Sequence, residues 1–382
     1  MKKGRRGVLF RILRGTNSIL ERIWTTLVTL ASIPGFLKSP ATSQTYFPAE
    51  ERKSRFRIYL DNFLWTIRHA EINECYFVYG LDRKHGSKGE QYISCREGMN
   101  LIRKANSQAW TGARATDYRC LCKDKFVFGE YLAALSFPTP KNLAIYDGSR
   151  LLWLDHGDTM GFESLLDVDQ MDIFCKDALG AHGCNVFSLK VDKGRIYIDG
   201  MESTLDELRK NMQVPSLLQE RLTQHPKMAE IYPGSINTLR LVTVLSEGEI
   251  APFGAFVKFG TKGRRVDNWA SGGLAVGVNL ETGKLLSTGV YRPGKGGFAV
   301  SHPESGIHFE GFEIPFFRKA VEQATRLHRF FYGLVSIGWD IAITPKGPVF
   351  IEGNHGWEIW AMQAIVGGLK SELRRAIPLP HP

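Results

Sequence analysis

Asp340, Glu352 and Asn354 are the side chains in this chain whose type and spacing most directly allow chemistry. They flank the segment Gly338-Trp339-Asp340-Ile341-Ala342-Ile343-Thr344-Pro345-Lys346-Gly347-Pro348-Val349-Phe350-Ile351-Glu352-Gly353-Asn354. Ile341 and Ile343 alternate with smaller or polar residues. Thr-Pro-Lys-Gly supplies a turn in which Gly347 can take a positive φ, and Val349 to Ile351 start a second strand. Glu352 and Asn354 are two apart on that strand and share a face, and hairpin pairing can bring Asp340 to the same face. Three hard oxygen donors without His or Cys suit Mg²⁺ bridging nucleotide phosphates. The plainer reading is a hairpin whose polar ends face water.

Further candidates lie upstream, on elements that must bring them to this hairpin. Asp124-Lys125-Phe126 opens a helix expected to run to Leu135. Met171 to Lys176 reads as an apolar strand ending in a lysine. It runs through a turn containing Gly180 and Gly183 into a second strand, Ser188 to Val191. Backbone N–H groups of such a turn can cover phosphates while Lys176 adds a point charge, although a plain surface hairpin has the same pattern. It is not a Walker loop, because no Gly-Lys-Ser/Thr precedes a helix. Leu217 to Leu222 reads as a strand that can offer backbone groups to an adenine edge. Ser235 to Leu245 is a strong strand on which Asn237 and Leu239 share one face, Thr238 and Arg240 the other. An arginine within a buried strand needs an anion, either phosphate or a structural carboxylate. Ile314 to Phe331 has the period of a long amphipathic helix leading into the hairpin.

The whole chain sets the limits. Its 382 residues, 43% hydrophobic, can bury two or three compact units. The net charge is +10, but residues 1–38 hold eight Lys/Arg against one Glu, so the remainder is close to neutral and gives little reason to expect nucleic acid binding. Cysteines at 75, 95, 120, 122, 175 and 184 form no Cys-x-x-Cys pair, which argues against structural zinc and fits a reducing cytosol. No run of 18 apolar residues is present. The basic, Trp24-bearing start resembles a signal peptide superficially. It reads equally as an ordinary helix packed on the body or as an amphipathic segment on the anionic inner face of a membrane. Residues 1–50 are expected to form this segment and a linker, 51–120 a helical or mixed region, and 121–370 the main catalytic domain.

The ordered set Lys125, Lys176, Gln219-Glu220, Arg240, Asn268-x-x-x-Gly272-Gly273 and Asp340…Glu352-x-Asn354 resembles ATP-grasp enzymes. Tyr232-Pro-Gly-Ser-Ile-Asn-Thr-Leu-Arg240, Val266-Asp-Asn268, His302-Pro-Glu-Ser-Gly306 and Gly338-Trp-Asp-Ile-Ala342 are similar to the sugar-transfer-associated ATP-grasp family. The likeness to ribosomal-protein glutamate ligases is looser. The resemblance implies an α+β fold of two subdomains clasping ATP, with a mainly helical N-terminal extension. Lys125, Lys176, Gly180 and Gly183 would contact ATP phosphates, and Gln219, Glu220 and Leu222 would line adenine. Asp340, Glu352 and Asn354 would hold one or two Mg²⁺, while Arg240 and Asn268 would steady the transferred phosphoryl group. Asn237, Ser271, His302, Glu304, His308 and His355 are substrate-contact candidates. The implied reaction joins a carboxylate to an amine through an acyl-phosphate, the amine being on a peptide, amino sugar or secondary metabolite. A phosphotransferase acting on a hydroxyl and a nucleotide-binding scaffold for glycan biosynthesis are the alternatives. In the glutamate-ligase pattern a basic residue precedes Gly-Gly, whereas this chain has Ser271 there.

Overall fold

The computed structural model describes residues 3–108, 117–155, 157–179, 186–212, 214–264, 267, 269 and 272–377, without the side chains of residues 3–18, 41 and 108. The chain divides into two units, Met1–Asn100 with Arg292–Phe298 and Glu358–Ser371, and Leu101–Tyr291 with Ala299–Trp357 and Glu372–Pro382.

The first unit is mainly helical. It contains α1 (Lys3–Lys38), α2 (Pro40–Ser43) and α3 (Arg55–His69), and the chain then enters α4 (Cys95–Gln108). Ser54 caps α3 by accepting from the Arg57 amide, and Ala70 closes it in the left-handed region. The aromatic segment Cys75 to Leu81 is buried. Gln363, on α10 (Ile359–Val366), holds it by bonding the Tyr79 hydroxyl and both backbone groups of Ile93.

The second unit contains two antiparallel sheets. After α5 (Cys120–Lys123) and α6 (Lys125–Ala134) come β1 (Asn142–Tyr146), β2 (Arg150–Trp153), β3 (Thr159–Gly161), β4 (Gln170–Asp177), β5 (Phe187–Asp192), β6 (Arg195–Ile198), β7 (Met201–Ser203), α7 (Leu205–Asn211) and β8 (Ser216–Glu220). These strands order as β3-β2-β1-β8-β4-β5-β6-β7. Leu151, Leu165, Ile173, Leu189, Val191, Leu208 and Leu218 fill their core. The chain then crosses through α8 (Pro226–Ile231) to β9 (Leu239–Ser246), β10 (Glu249–Phe259), β11 (Leu274–Val278), β12 (Leu285–Tyr291) and β13 (Phe298–Ala299). α9 (Phe317–His328), β14 (Ser336–Thr344) and β15 (Gly347–Asn354) follow, with order β13-β12-β11-β10-β9-β14-β15. α11 (Lys370–Ala376) closes the described chain.

Helix α9 lays Phe317, Ala320, Ala324 and Leu327 on the second sheet, a spacing of three or four that places them in one stripe. It begins later than the periodicity of Ile314 to Phe331 suggests. Pro315 intervenes and Phe316 is left-handed, while Arg329–Phe331 tighten into a 3₁₀ turn. The adenine-side strand likewise ends at Glu220, two residues short of the span expected from Leu217 to Leu222. Both edges of β8 are occupied, by β1 and by β4.

Candidate nucleotide and metal site

Two faces of the second sheet part company at β9, β14 and β15. Leu239, Leu241, Trp339 and Ile341 point into the core beneath α9. The alternate residues, Arg240 and Asp340, stand opposite one another across the ladder on the other face. On β15 simple alternation would put Glu352 on the same side as buried Phe350. A register shift intervenes, with Ile341 opposite Phe350 but Asp340 opposite Glu352. The extra residue, Ile351, is a bulge, and it turns Glu352 and Asn354 toward Asp340. Gly338 lies opposite Asn354, where a Cβ would come within 2.7 Å of Trp357 Cβ, so glycine keeps that corner open.

The charges are closely paired. Arg240 grips Asp340 with two bonds, Nε to Oδ1 at 2.6 Å and Nη2 to Oδ2 at 2.9 Å. Lys258 Nζ donates to Asp340 Oδ2 at 3.2 Å. Burial works against the Asp340 charge, but the two cations outweigh it and hold its carboxyl well below the usual carboxylate range. Burial and the adjacent Asp340 carboxylate both push Glu352 up, and the two carboxyls share a hydrogen bond. Glu352 is thus the easier of the pair to protonate. Asn354 Nδ2 donates to Glu352 Oε1 and to the Gly338 carbonyl, each at 3.3 Å. Nearby, Asp267 accepts from the Thr238 amide at 2.8 Å and its hydroxyl at 2.5 Å. Burial raises Asp267, with Lys258 opposing that shift.

The first sheet and α6 add two lysines. Asp124 caps α6 by accepting from the Phe126 and Val127 amides. The Lys125 amide donates to the Ala178 carbonyl at 2.9 Å, tying this helix start to the end of β4. Lys176, only 6% exposed on β4, is lowered to about 8. Burial is the main cause; the Lys125 charge adds to it, and the Glu352 carboxylate opposes it. Lys176 therefore lies within electrostatic reach of both Lys125 and Glu352, although the three are scattered along the sequence.

Gln219 donates to Asn142 Oδ1 at 2.8 Å, and Asn142 donates to Glu130, so the Gln219 side chain ties β8 to β1 and α6. Glu220 is exposed, and its amide is committed to the Lys141 carbonyl. Leu222 follows the strand end. Asn237 is fully buried, donates to the Met228 and Tyr232 carbonyls and closes off α8. His302 is fully buried too. Its Nε2–H faces the Gly260 carbonyl at 2.9 Å while Nδ1 accepts from the Glu304 amide, which fixes one neutral tautomer. Glu304 accepts from the Lys262 amide, so it and His302 organise the loop. His308 pairs across from Ser301. His355 follows Asn354. Its carbonyl accepts from Asn106, and burial, with the Lys123 and Arg119 charges, lowers its imidazole. Gly180, Gly183, Asn268 and Ser271 lie outside the described residues.

The sequence reading missed Lys258 and Asp267. The signal for Lys258 was present, since Phe256-Val257-Lys258-Phe259 is a cation in a buried strand, as Arg240 is. Arg264 also went unremarked. Its Nη1 lies 3.0 Å from where a Cβ on Gly272 would stand and, among the described residues, is buried without a partner. It sets a cation beside Gly272-Gly273, near the position where Ser271 departs from the basic pattern.

The donor set fits a hard divalent ion shared with phosphate. Two carboxyls converge, with the Asn354 amide bonded to Glu352 through its Nδ2, and the carboxyls' mutual repulsion shows in the raised Glu352. No group of three or more His, Cys, Asp or Glu that could hold a metal ion is found among the described residues.

The sugar-transfer associated ATP-grasp family matches residues 117–376, and the chain belongs to that family. No curated protein matches the chain. Among solved structures, the chain is similar to N5-carboxyaminoimidazole ribonucleotide synthetase of Thermotoga maritima, with 13% identity over 69% of this chain and 51% of that one and a TM-score of 0.34. It is similar to the biotin carboxylase domain of 2-oxoglutarate carboxylase of Hydrogenobacter thermophilus, with 14% identity over 68% and 46% and a TM-score of 0.38. A D-Ala:D-Ser ligase of Enterococcus faecalis shares 11% identity over 68% and 62%, with a TM-score of 0.37. The chain thus spans roughly half the length of these proteins.

Proposed function

We propose that this chain is an ATP- and Mg²⁺-dependent carboxylate–amine ligase. The observation that carries the reading is the face on which Arg240 and Lys258 surround Asp340, opposite Glu352, with Lys176 and Lys125 in electrostatic reach. Four cations around an oxygen-donor corner match the needs of phosphoryl transfer, which asks for positioning and charge neutralisation more than for a protein nucleophile.

In this reading Lys125 and Lys176 hold the ATP phosphates, the segment Glu220 to Leu222 borders adenine, and Arg240 and Lys258 keep Asp340 ionised and correctly turned. Asp340, Glu352 and Asn354 would hold Mg²⁺, which neutralises phosphate charge when bound. A carboxylate oxygen of the acid substrate attacks the γ-phosphorus, the bond to the bridging oxygen breaks, and ADP leaves with the electron pair. The amine nitrogen then attacks the acyl carbon, the carbon–oxygen bond breaks, phosphate leaves, and the amine loses a proton. Lys176 holds its proton less firmly than an ordinary lysine, and arriving phosphates would strengthen that hold. The acceptor amine belongs to a peptide, an amino sugar or a secondary metabolite.

The test is ADP and phosphate release measured against a panel of acids and amines, with mass spectrometry of products. ADP formation that requires both an acid and an amine, with an amide product, supports the ligase. A phosphorylated hydroxyl compound replaces it with a phosphotransferase. Nucleotide binding without turnover in any combination favours a scaffold.

A further inference from the structure

Helix α3 turns its apolar side outward. Its buried residues are Ile58, Asn62 and Thr66, two of them polar, whereas Phe56 is 75% exposed, Leu64 54% and Ile67 50%. Phe56, Leu60, Phe63, Leu64 and Ile67 follow helical spacing and make one stripe. Helix α1 packs beside α3, and Arg22 Nη2 donates to the Arg68 carbonyl at 3.1 Å. It carries a second outward stripe at fourfold spacing: Ile19, Ile23 and Leu27 along one row, Leu20, Trp24 and Val28 along the next, all more than half exposed. Two neighbouring helices thus leave unburied the side that a soluble bundle would hide. Eight of these side chains are more than half exposed and Ile67 is half exposed, a concentration that single scattered surface hydrophobics do not explain.

The charge of these segments in the sequence points to the occupant. Residues 1–38 hold eight basic residues and one acidic, and α3 adds Arg55, Arg57 and Arg68 against Asp61. Asp61 is already engaged by Lys53 and Arg57. No helix among the described residues is long and apolar enough to cross a bilayer. We propose that the α1–α3 pair is a docking surface for an anionic lipid bilayer, lying in the headgroup plane with Trp24, Leu27, Phe56 and Leu64 inserted and the arginines against lipid phosphates. Apolar insertion and basic attraction are the two components such interfacial helices combine, and neither alone anchors firmly. The inference concerns the helical unit and stands whatever acid and amine the second unit uses.

Vesicle flotation of the full chain tests it. Phosphatidylcholine vesicles containing phosphatidylglycerol are compared with phosphatidylcholine alone, at low and high salt. The expected result is binding to the anionic vesicles, strongly weakened by salt and by removing phosphatidylglycerol. Trp24→Glu with Leu27→Glu on α1, and Phe56→Glu with Leu64→Glu on α3, should each weaken binding about tenfold or more, since each removes two inserted apolar side chains. These positions are exposed, so unchanged circular dichroism and melting are expected for both variants, and either pair alone suffices for the comparison. A chain that stays in the vesicle-free fraction overturns the proposal, as does undiminished binding by both variants. A dimer in sedimentation equilibrium that the same substitutions dissociate overturns it in favour of a second copy of the chain on this face.

Discussion

Across the middle of the second sheet, neighbouring residues on a strand serve opposite purposes. Trp339 is fully buried and packs edge-on against Phe331 and Phe350, and its indole N–H donates to Thr243. Asp340, one residue on, faces two cations and a second carboxyl on the opposite side. The core face lowers free energy by removing apolar surface from water and by close packing. The charged face carries the cost of gathering like charges, visible in the raised Glu352 and the lowered Lys176. Such cost persists where ligand charge later offsets it. The comparison teaches which substitutions should reach activity and which should reach stability.

Glu352→Gln should show the largest effect on turnover, a loss of about 10³-fold or more in steady-state ADP release, the scale of removing one group that stabilises developing charge. Its melting temperature should hold or rise at neutral pH. A carboxyl raised in the fold contributes stability present below its ordinary value of 4.5 and lost as pH rises through the folded value, so the neutral amide escapes that loss. A melting series against pH should show the wild type falling relative to the variant above 4.5. Unfolding of Glu352→Gln would erase the distinction between the faces.

Trp339→Ala should cost about 3–5 kcal/mol in chemical denaturation through the cavity it leaves. Asp340→Asn should fall between the faces and touch both measurements, lowering turnover and removing the carboxylate that Arg240 and Lys258 grip directly.

Lys176→Met should weaken ATP binding by about 1.5–3 kcal/mol in calorimetry, the range for hydrogen bonds to charged groups. In the wild type, ATP affinity should fall as pH rises through about 8, because the lysine is protonated below that value and neutral above it. The variant should lose that pH dependence. A flat wild-type profile would separate Lys176 from the phosphates. The smallest effect belongs to Asn237→Ala, about 1–3 kcal/mol in denaturation, with KM for each substrate unmoved.

Much of the site could be read in order along the chain. The hairpin, its turn with Gly347 at φ +127, the Asp124 cap of α6 and the strand bearing Arg240 follow from local rules of alternation, capping and turn chemistry, although that strand starts at Leu239 and not at Ser235, which leaves Asn237 and Thr238 off it. Partners in space were harder. Asn237 and His302 have the residue types of substrate contacts, yet Asn237 Nδ2 and both ring nitrogens of His302 meet nearby backbone groups, while Asn237 Oδ1 is buried without a partner among the described residues. No local pattern separates a polar side chain that ties down a loop from one that meets a ligand. The outward turn of α3 was hidden for a related reason, because periodicity reveals an apolar stripe but not what lies against it.

The sequence by itself determined the oxygen-donor types, the lysines at the start of α6 and the end of β4, the family and the separation of a basic start from a nearly neutral body. Only the tertiary structure decided that Lys258 joins Arg240 on Asp340, and that Lys176 comes within reach of both Lys125 and Glu352. It also decided, through the Ile351 bulge, that Glu352 faces Asp340 and not the core beside Phe350. The physical reason is that a strand's alternation fixes faces only while the ladder register holds. A one-residue shift reverses every side chain beyond it, and that shift is set by pairing with a partner strand.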